Sequence, residues 1–234
     1  MASRVSFVLP SFNSVAWLPQ AVSSCLEQSH KDVEVIVVDD CSTDATQDYL
    51  DWQVKADKRV VAYRNQANAG RAVSRNLGND MATGDVSCVL DADDLALPNR
   101  AKIVADKFKS GCEFLYGSAV GIDACGRNLG EIRADVFNRE KAIETMENRI
   151  VHSSCAYTRD FARRFPYTGG DVARLGLDDW ELQIRAAMAG IKMEFVPNVL
   201  SCYRVLDGAI SQTRNAEEVR KFKTGYLEGL RASV

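Results

Sequence analysis

The run Val33-Glu34-Val35-Ile36-Val37-Val38-Asp39-Asp40 sets the class of this domain. Its apolar, mostly β-branched residues run on instead of alternating with polar ones, as in a strand covered by helices on both faces of a parallel sheet. Working outward, three further β-rich runs appear: Val5 to Leu9, Val60 to Tyr63 and Val86 to Leu90. The segments between them carry apolar residues at helical spacing. Val15, Leu18, Val22, Cys25 and Leu26 share one helical face, and Ser42-Thr43-Asp44 forms an N-cap cluster ahead of a helix bearing Tyr49, Leu50 and Val54. The β-α-β-α order predicts an α/β domain with a parallel central sheet flanked by helices. Ligands of such sheets bind where the strands end. The polar residues closing the runs are Pro10-Ser11-Phe12-Asn13, Asp39-Asp40, Asn65 to Asn68 and Asp91 to Asp94, and these should converge on one crevice.

The run Val86-Ser87-Cys88-Val89-Leu90-Asp91-Ala92-Asp93-Asp94 ends an apolar strand in a cluster of carboxylates. Acids held close together repel one another and resist burial, so a divalent cation among them explains the arrangement. In extended backbone Asp91 and Asp93 project to the same side and are able to share one ion. The competing reading is a solvated acidic turn before a helix that begins near Pro98, with Asp94 or Asn99 as its N-cap.

A chain of 234 residues, 46% of them hydrophobic, is long enough for one sizeable core. Its 29 basic and 32 acidic residues give a net charge of −3, which leaves no electrostatic footprint for nucleic acid. Seven scattered cysteines without C-x-x-C spacing point to reduced structural thiols and against a zinc site. The first strand starts by Val5, with no room for a signal peptide, and no apolar run reaches a membrane span. A cytoplasmic location is expected. Beyond Arg100 the pattern loosens into a helix from Ala101 to Lys109, short strands at Phe114 to Tyr116 and Ala119 to Ile122, and a turn at Asp123-Ala124-Cys125-Gly126-Arg127. The Gly169-Gly170 pair reads either as a lid hinge or as an ordinary turn.

Taken together and in order, these segments resemble the family 2 glycosyltransferases of the GT-A fold. The residues that carry the resemblance are Val5 to Asn13, Val35 to Asp44, Asn68-Ala69-Gly70-Arg71 leading into Ser74-Arg75-Asn76-Leu77-Gly78, Leu90 to Asp94, and Leu177-Asp178-Asp179-Trp180-Glu181-Leu182 followed by Arg185. The resemblance implies a single catalytic domain with a Rossmann-like, mostly parallel sheet. Residues from about 1 to 100 would bind the nucleotide sugar, about 101 to 212 would form the acceptor side, and about 213 to 234 a C-terminal helix. It also implies an inverting transfer of a sugar from a UDP-sugar to an acceptor hydroxyl on a glycan, a lipid-linked molecule or a protein.

The roles that the resemblance implies fit the chemistry of the residues. A nucleobase offers a flat π-face and a hydrogen-bonding edge. Phe12 would stack on it, Asp40 would accept the uracil ring N–H, and Pro10 would present backbone groups. Asp91 and Asp93 match the D-x-D motif that holds Mn²⁺ or Mg²⁺ against the pyrophosphate, with Asp94 either a ligand itself or an acceptor behind them. Arg75 would contact base or phosphate, and Arg71 reads as a solvated surface residue. Inverting transfer needs one base. Asp179 is the candidate, with adjacent Asp178 as cap, orienting group or alternative base. Trp180 either walls the acceptor pocket or sits in the core, and His152 is either an acceptor-side contact or a structural histidine.

One departure lies in Tyr203-Arg204-Val205-Leu206-Asp207-Gly208-Ala209-Ile210-Ser211, where many relatives carry histidine at the position of Leu206. Arg204 or Asp207 would then supply the missing pyrophosphate or metal contact. The segment Asn215 to Leu230 places Val219, Phe222, Tyr226, Leu227 and Leu230 at helical spacing. That face packs on the core, joins a homodimer, or makes peripheral contact with the inner membrane face. Two other functions stay open: a non-catalytic nucleotide-sugar sensor or scaffold, and a sugar nucleotidyltransferase. The stretch from Pro10 to Val15 lacks the glycine-rich basic loop the latter usually carries.

Overall fold

A computed structural model describes residues 4–145, 150–208 and 213–232. Ala209, Ile210 and Ser211 of the departing segment lie outside the described residues, and so does the side chain of Leu230.

β1 (Val5–Ser11), β2 (Val33–Asp39), β3 (Val60–Arg64) and β4 (Val86–Val89) pair in parallel in the order β3-β2-β1-β4. The helices α1 (Leu18–Leu26), α2 (Thr46–Ala56) and α3 (Arg71–Met81) make the crossovers. The unbroken hydrophobicity of β2 has a direct cause. Val33, Val35 and Val37 face a core shared with Leu18, Ala21, Val22 and Cys25 of α1, whereas Ile36 and Val38 face the opposite side, against Leu77 and Met81 of α3. Successive side chains of a strand point to opposite faces, so a sheet with helices on both sides needs apolar residues at every position. Gly78 lets α3 approach closely, because a Cβ there would meet Val8 Cγ1 at 2.5 Å. The expected helical face of α2 is only partly used: Leu50 is buried, but Val54 is exposed and Gln53 takes the inward position.

At the N-terminal edge of the sheet Glu34 is buried and fully engaged. Its carboxylate accepts from Ser6 Oγ (2.5 Å), Thr83 N and Oγ1 (2.7 Å each) and Gly84 N (3.0 Å), and pairs with Arg4 at 3.0 Å. These bonds tie β1, β2 and the start of β4 together at the end of the sheet opposite the polar strand tips.

The second half extends the same sheet. β8 (Ala156–Thr158) runs antiparallel to β4, and the order continues through β6 (Phe114–Ile122), β9 (Met193–Arg204) and β5 (Leu95–Ala96), with β7 (Asn128–Ile132) paired to β6. The two short strands expected around Phe114 and Ala119 form one strand, which keeps pairing with β9 through register shifts beside Ser118. Around these lie α4 (Arg100–Phe108), α5 (Arg139–Thr145), α6 (Arg159–Arg164), α7 (Asp171–Arg174) and α8 (Asp178–Met188). The Gly169-Gly170 pair leads straight into α7, with Gly170 at φ +63°.

The C-terminal helix α9 (Ala216–Ala232) packs on its own chain. Leu227 is buried in a cluster with Leu175, Leu177, Trp180 and Ile184, and Val219, Phe222 and Tyr226 pack against it. Its apolar face is therefore covered by α7 and α8. No helix among the described residues is long and apolar enough to cross a membrane.

Candidate active site

The strand tips do converge. A cleft of about 560 Å³ is lined by Pro10 and Phe12 after β1, Asp40 after β2, Arg71 and Arg75 on α3, Asp91 and Asp93 after β4, His152, Asp178 and Asp179 on α8, and Arg204 at the end of β9. Phe12 is half exposed, as suits a stacking platform and not a core aromatic.

Residues 91 to 94 are not extended, contrary to expectation. Asp94 N donates to Asp91 O at 3.1 Å, closing a tight turn that nonetheless leaves both Asp91 and Asp93 on the cleft wall. Asp94 is not among the lining residues. It is buried, and its Oδ1 accepts from Arg204 N at 2.7 Å. Among the described residues no group of three or more acids, histidines or cysteines stands in a metal-ligating arrangement, and of Asp91, Asp93 and Asp94 the first two line the cleft.

Electrostatics separate these acids. Burial would raise the Asp91 carboxyl, but the Arg75 guanidinium beside it prevails and holds it at about 2. Among the described residues no arginine pairs with Asp93: burial, with the Asp91 charge added, pushes it up to about 6. Burial and both neighbouring acids carry Asp94 well above the carboxylate range. Burial and the Arg75 charge depress His152 to about 3, which keeps its imidazole neutral. The His152 ring packs edge-on against Tyr167, with Nε2 3.3 Å from the Tyr167 hydroxyl, and Tyr167 in turn reaches Tyr157 at 3.2 Å.

Arg75 is the hub. Nearly fully buried, it donates to Asp91 Oδ1 and to Asp178 Oδ2, each at 2.5 Å, with its guanidinium over the Tyr167 ring. Arg71, expected at the solvated surface, reaches the same carboxylate, donating to Asp178 Oδ1 through Nε at 3.0 Å and Nη2 at 2.5 Å. Asp178 is thus sealed at 1% exposure between two guanidinium groups, and its side chain caps no backbone N–H. Asp179 is half-buried and faces the cleft.

Several expected residues have other partners. Asp40 accepts from Asn65 Nδ2 (2.7 Å), Ala69 N (2.9 Å) and Gly70 N (2.7 Å), so it anchors the loop that starts α3. Gly70 sits at φ +88°, a backbone conformation that favours glycine. Arg204 donates to the carbonyls of Asp93 (2.8 Å), Asp123 (3.0 Å) and Ala124 (3.2 Å) and to Gln20 Oε1 (3.1 Å), and stacks over Trp17. Its first task is to brace the acidic turn. Trp180 is withdrawn from the cleft: it lies in the cluster under α9, edge-on to Tyr226 and beneath Lys223 Nζ. Asp207 is exposed and outside the cleft, whereas Leu206 lines it.

One positioning residue was not anticipated. Arg100 is fully buried, and its guanidinium donates to Val89 O and Ser153 O at 2.6 Å and to Cys155 O at 2.9 Å. It locks the end of β4 to the 3-10 turn that carries His152. In the sequence it is one arginine in a polar helix start, and nothing there marks it as internal.

A parallel α/β sheet whose strand-tip acids face one cleft accords with the motif order, and the chain belongs to glycosyl transferase family 2, whose profile matches residues 6–164. A Bacillus subtilis protein named as a teichuronic acid biosynthesis glycosyltransferase, TuaG, is 36% identical over 125 residues, covering 53% of this chain and 47% of that one. The succinoglycan biosynthesis protein ExoO of Rhizobium meliloti is 25% identical over 227 residues, covering 92% of this chain and 64% of its own. Among solved structures, Staphylococcus aureus TarS 1-349 in complex with UDP-GlcNAc superimposes with a TM-score of 0.74 at 17% identity, over 91% of this chain and 62% of that chain. The mannosyltransferase PcManGT from Pyrobaculum calidifontis, in complex with GDP-Man and Mn²⁺, gives 0.66 at 17% identity, over 91% and 60%. The chain spans less than two thirds of the length of each of these four proteins. The fold is that of GT-A glycosyltransferases.

Proposed function

We propose that this chain carries out metal-assisted, inverting transfer of a sugar from a UDP-sugar to an acceptor hydroxyl. The observation that carries the reading is that Asp40, Asp93 and Asp179, from three separate elements, line one cleft. The family and the nucleotide-sugar complexes of TarS and PcManGT support the donor class.

Asp93 and Asp91 are the residues to hold a divalent cation. Their hard oxygen donors suit Mn²⁺ or Mg²⁺, and the raised Asp93 beside Asp91 marks a place where an added positive charge relieves repulsion. A bound cation supplies charge that stabilises the departing diphosphate. Among the described residues no arginine pairs with Asp93, which leaves its carboxylate available for that task. Phe12 offers its exposed ring to the base, and Asp40, with three hydrogen bonds already accepted, keeps one of its roughly four lone-pair sites for a ring N–H.

The contrast between the adjacent acids supports Asp179 as the base. Asp178 is bound by two arginines and is removed from the proton-accepting role, while Asp179 faces the cleft with room for a hydroxyl. Direct displacement needs no carboxylate nucleophile, so one base suffices.

The test is UDP release from UDP-sugars, with and without candidate glycan acceptors. Acceptor-dependent release with inverted anomeric configuration is the expected result. Binding of the UDP-sugar with no turnover on any acceptor and no hydrolysis indicates a sensor instead.

A further inference from the structure

Among the described residues four arginines line the cleft, and three of them are already engaged. Arg71 and Arg75 neutralise Asp178 and Asp91, and Arg204 donates to carbonyl oxygens and Gln20. Arg214 differs. It is exposed, and among the described residues its side chain donates from Nη1 to Gly176 O at 3.2 Å and no carboxylate pairs with it. The other charges that the described residues place on the wall are acidic: Asp40, Asp91, Asp93, Asp178 and Asp179.

An anionic ligand entering so acidic a cleft needs a cation whose donors are not already taken. A guanidinium presents a planar fork matched to phosphate oxygens. Its anchor, Gly176, belongs to the loop that leads into α8, so the fork stands on the Asp179 side of the cleft and not behind the acidic turn. We infer that Arg214 contacts a phosphate oxyanion in the cleft. The inference rests on the nucleotide-sugar reading above. Two sources share the chemistry: the diphosphate of the donor and a phosphate borne by the acceptor.

Calorimetry on the full chain with Mn²⁺ separates them. UDP and uridine are titrated into wild type, Arg214→Gln and Arg214→Lys, and glycerol 3-phosphate is titrated into each protein saturated with UDP. If the diphosphate is the partner, Arg214→Gln weakens UDP by about tenfold or more and leaves uridine unchanged, and Arg214→Lys restores part of the loss. If the acceptor's phosphate is the partner, UDP affinity holds and the glycerol 3-phosphate binding of wild type is lost. Arg214→Gln with UDP affinity and any glycerol 3-phosphate binding at the wild-type level overturns the assignment. Should wild type bind no UDP at all, the donor reading itself fails, which is a different outcome from the preceding one. Arg214 is exposed and, among the described residues, bonded to a backbone carbonyl and to no side chain, so its replacement leaves the fold intact.

Discussion

Asp178 and Asp179 are neighbours in the chain with opposite surroundings, and their variants should differ accordingly. Asp179→Asn removes the proposed base and nothing that holds the fold. Transfer should fall by roughly 10²–10⁴-fold, with UDP affinity unchanged, as read by steady-state kinetics beside calorimetry; an undiminished rate removes Asp179 from that role. Asp178→Ala instead takes from the buried Arg75 one of its two carboxylates and from the partly buried Arg71 the carboxylate it pairs with. Losing one partner of a buried ion pair costs about 3–5 kcal/mol, so the urea midpoint should drop clearly. A midpoint equal to wild type would show that these ion pairs contribute nothing. From sequence both acids were visible as a pair, but not which was sealed. That depends on Arg71 and Arg75, more than 100 positions away in the chain.

At the level of the element, the two edges of the parallel sheet hold acids for different ends. Burial disfavours the Glu34 carboxylate, but hydrogen bonds from Ser6, Thr83 and Gly84 outweigh it and hold Glu34 below its ordinary value of 4.5. A group depressed in the folded state adds stability that is fully present above its unfolded value and is lost as pH falls through the folded one. Stability should therefore decline below about pH 4.5, and Glu34→Gln should flatten part of that slope in urea titrations at successive pH values. An unaltered slope contradicts the assignment. Helix α3 carries both Arg71 and Arg75 and sits close on β1 through Gly78. Gly78→Val should cost about 1–3 kcal/mol by overpacking against Val8 and should weaken UDP binding in step, since the helix that sets the arginines is displaced. Full stability with full binding would mean the contact relaxes freely. The elements themselves were legible where periodicity was strong. Val54 departs from its helical periodicity because one face of α2 is only lightly covered, and the sequence suggests two strands in place of β6 because Gly117-Ser118 interrupts the apolar run.

Over the whole molecule, the order of strands and helices and the convergence of strand tips could be read from the sequence, since a parallel sheet fixes where loops gather. What pairs within the cleft could not. Asp40 holds a loop, Arg204 braces a turn, Trp180 serves the core and Arg100 works unseen, because each depends on contacts between distant segments. The C-terminal helix joins this unit by covering α8, whose first turn presents Asp179. The most direct measurement is calorimetric titration of UDP, with and without Mn²⁺, into wild type and Asp93→Ala. Tight binding that requires the ion in wild type and disappears in the variant is the expected result. Ion-independent binding, or an affinity that Asp93→Ala leaves untouched, would contradict it.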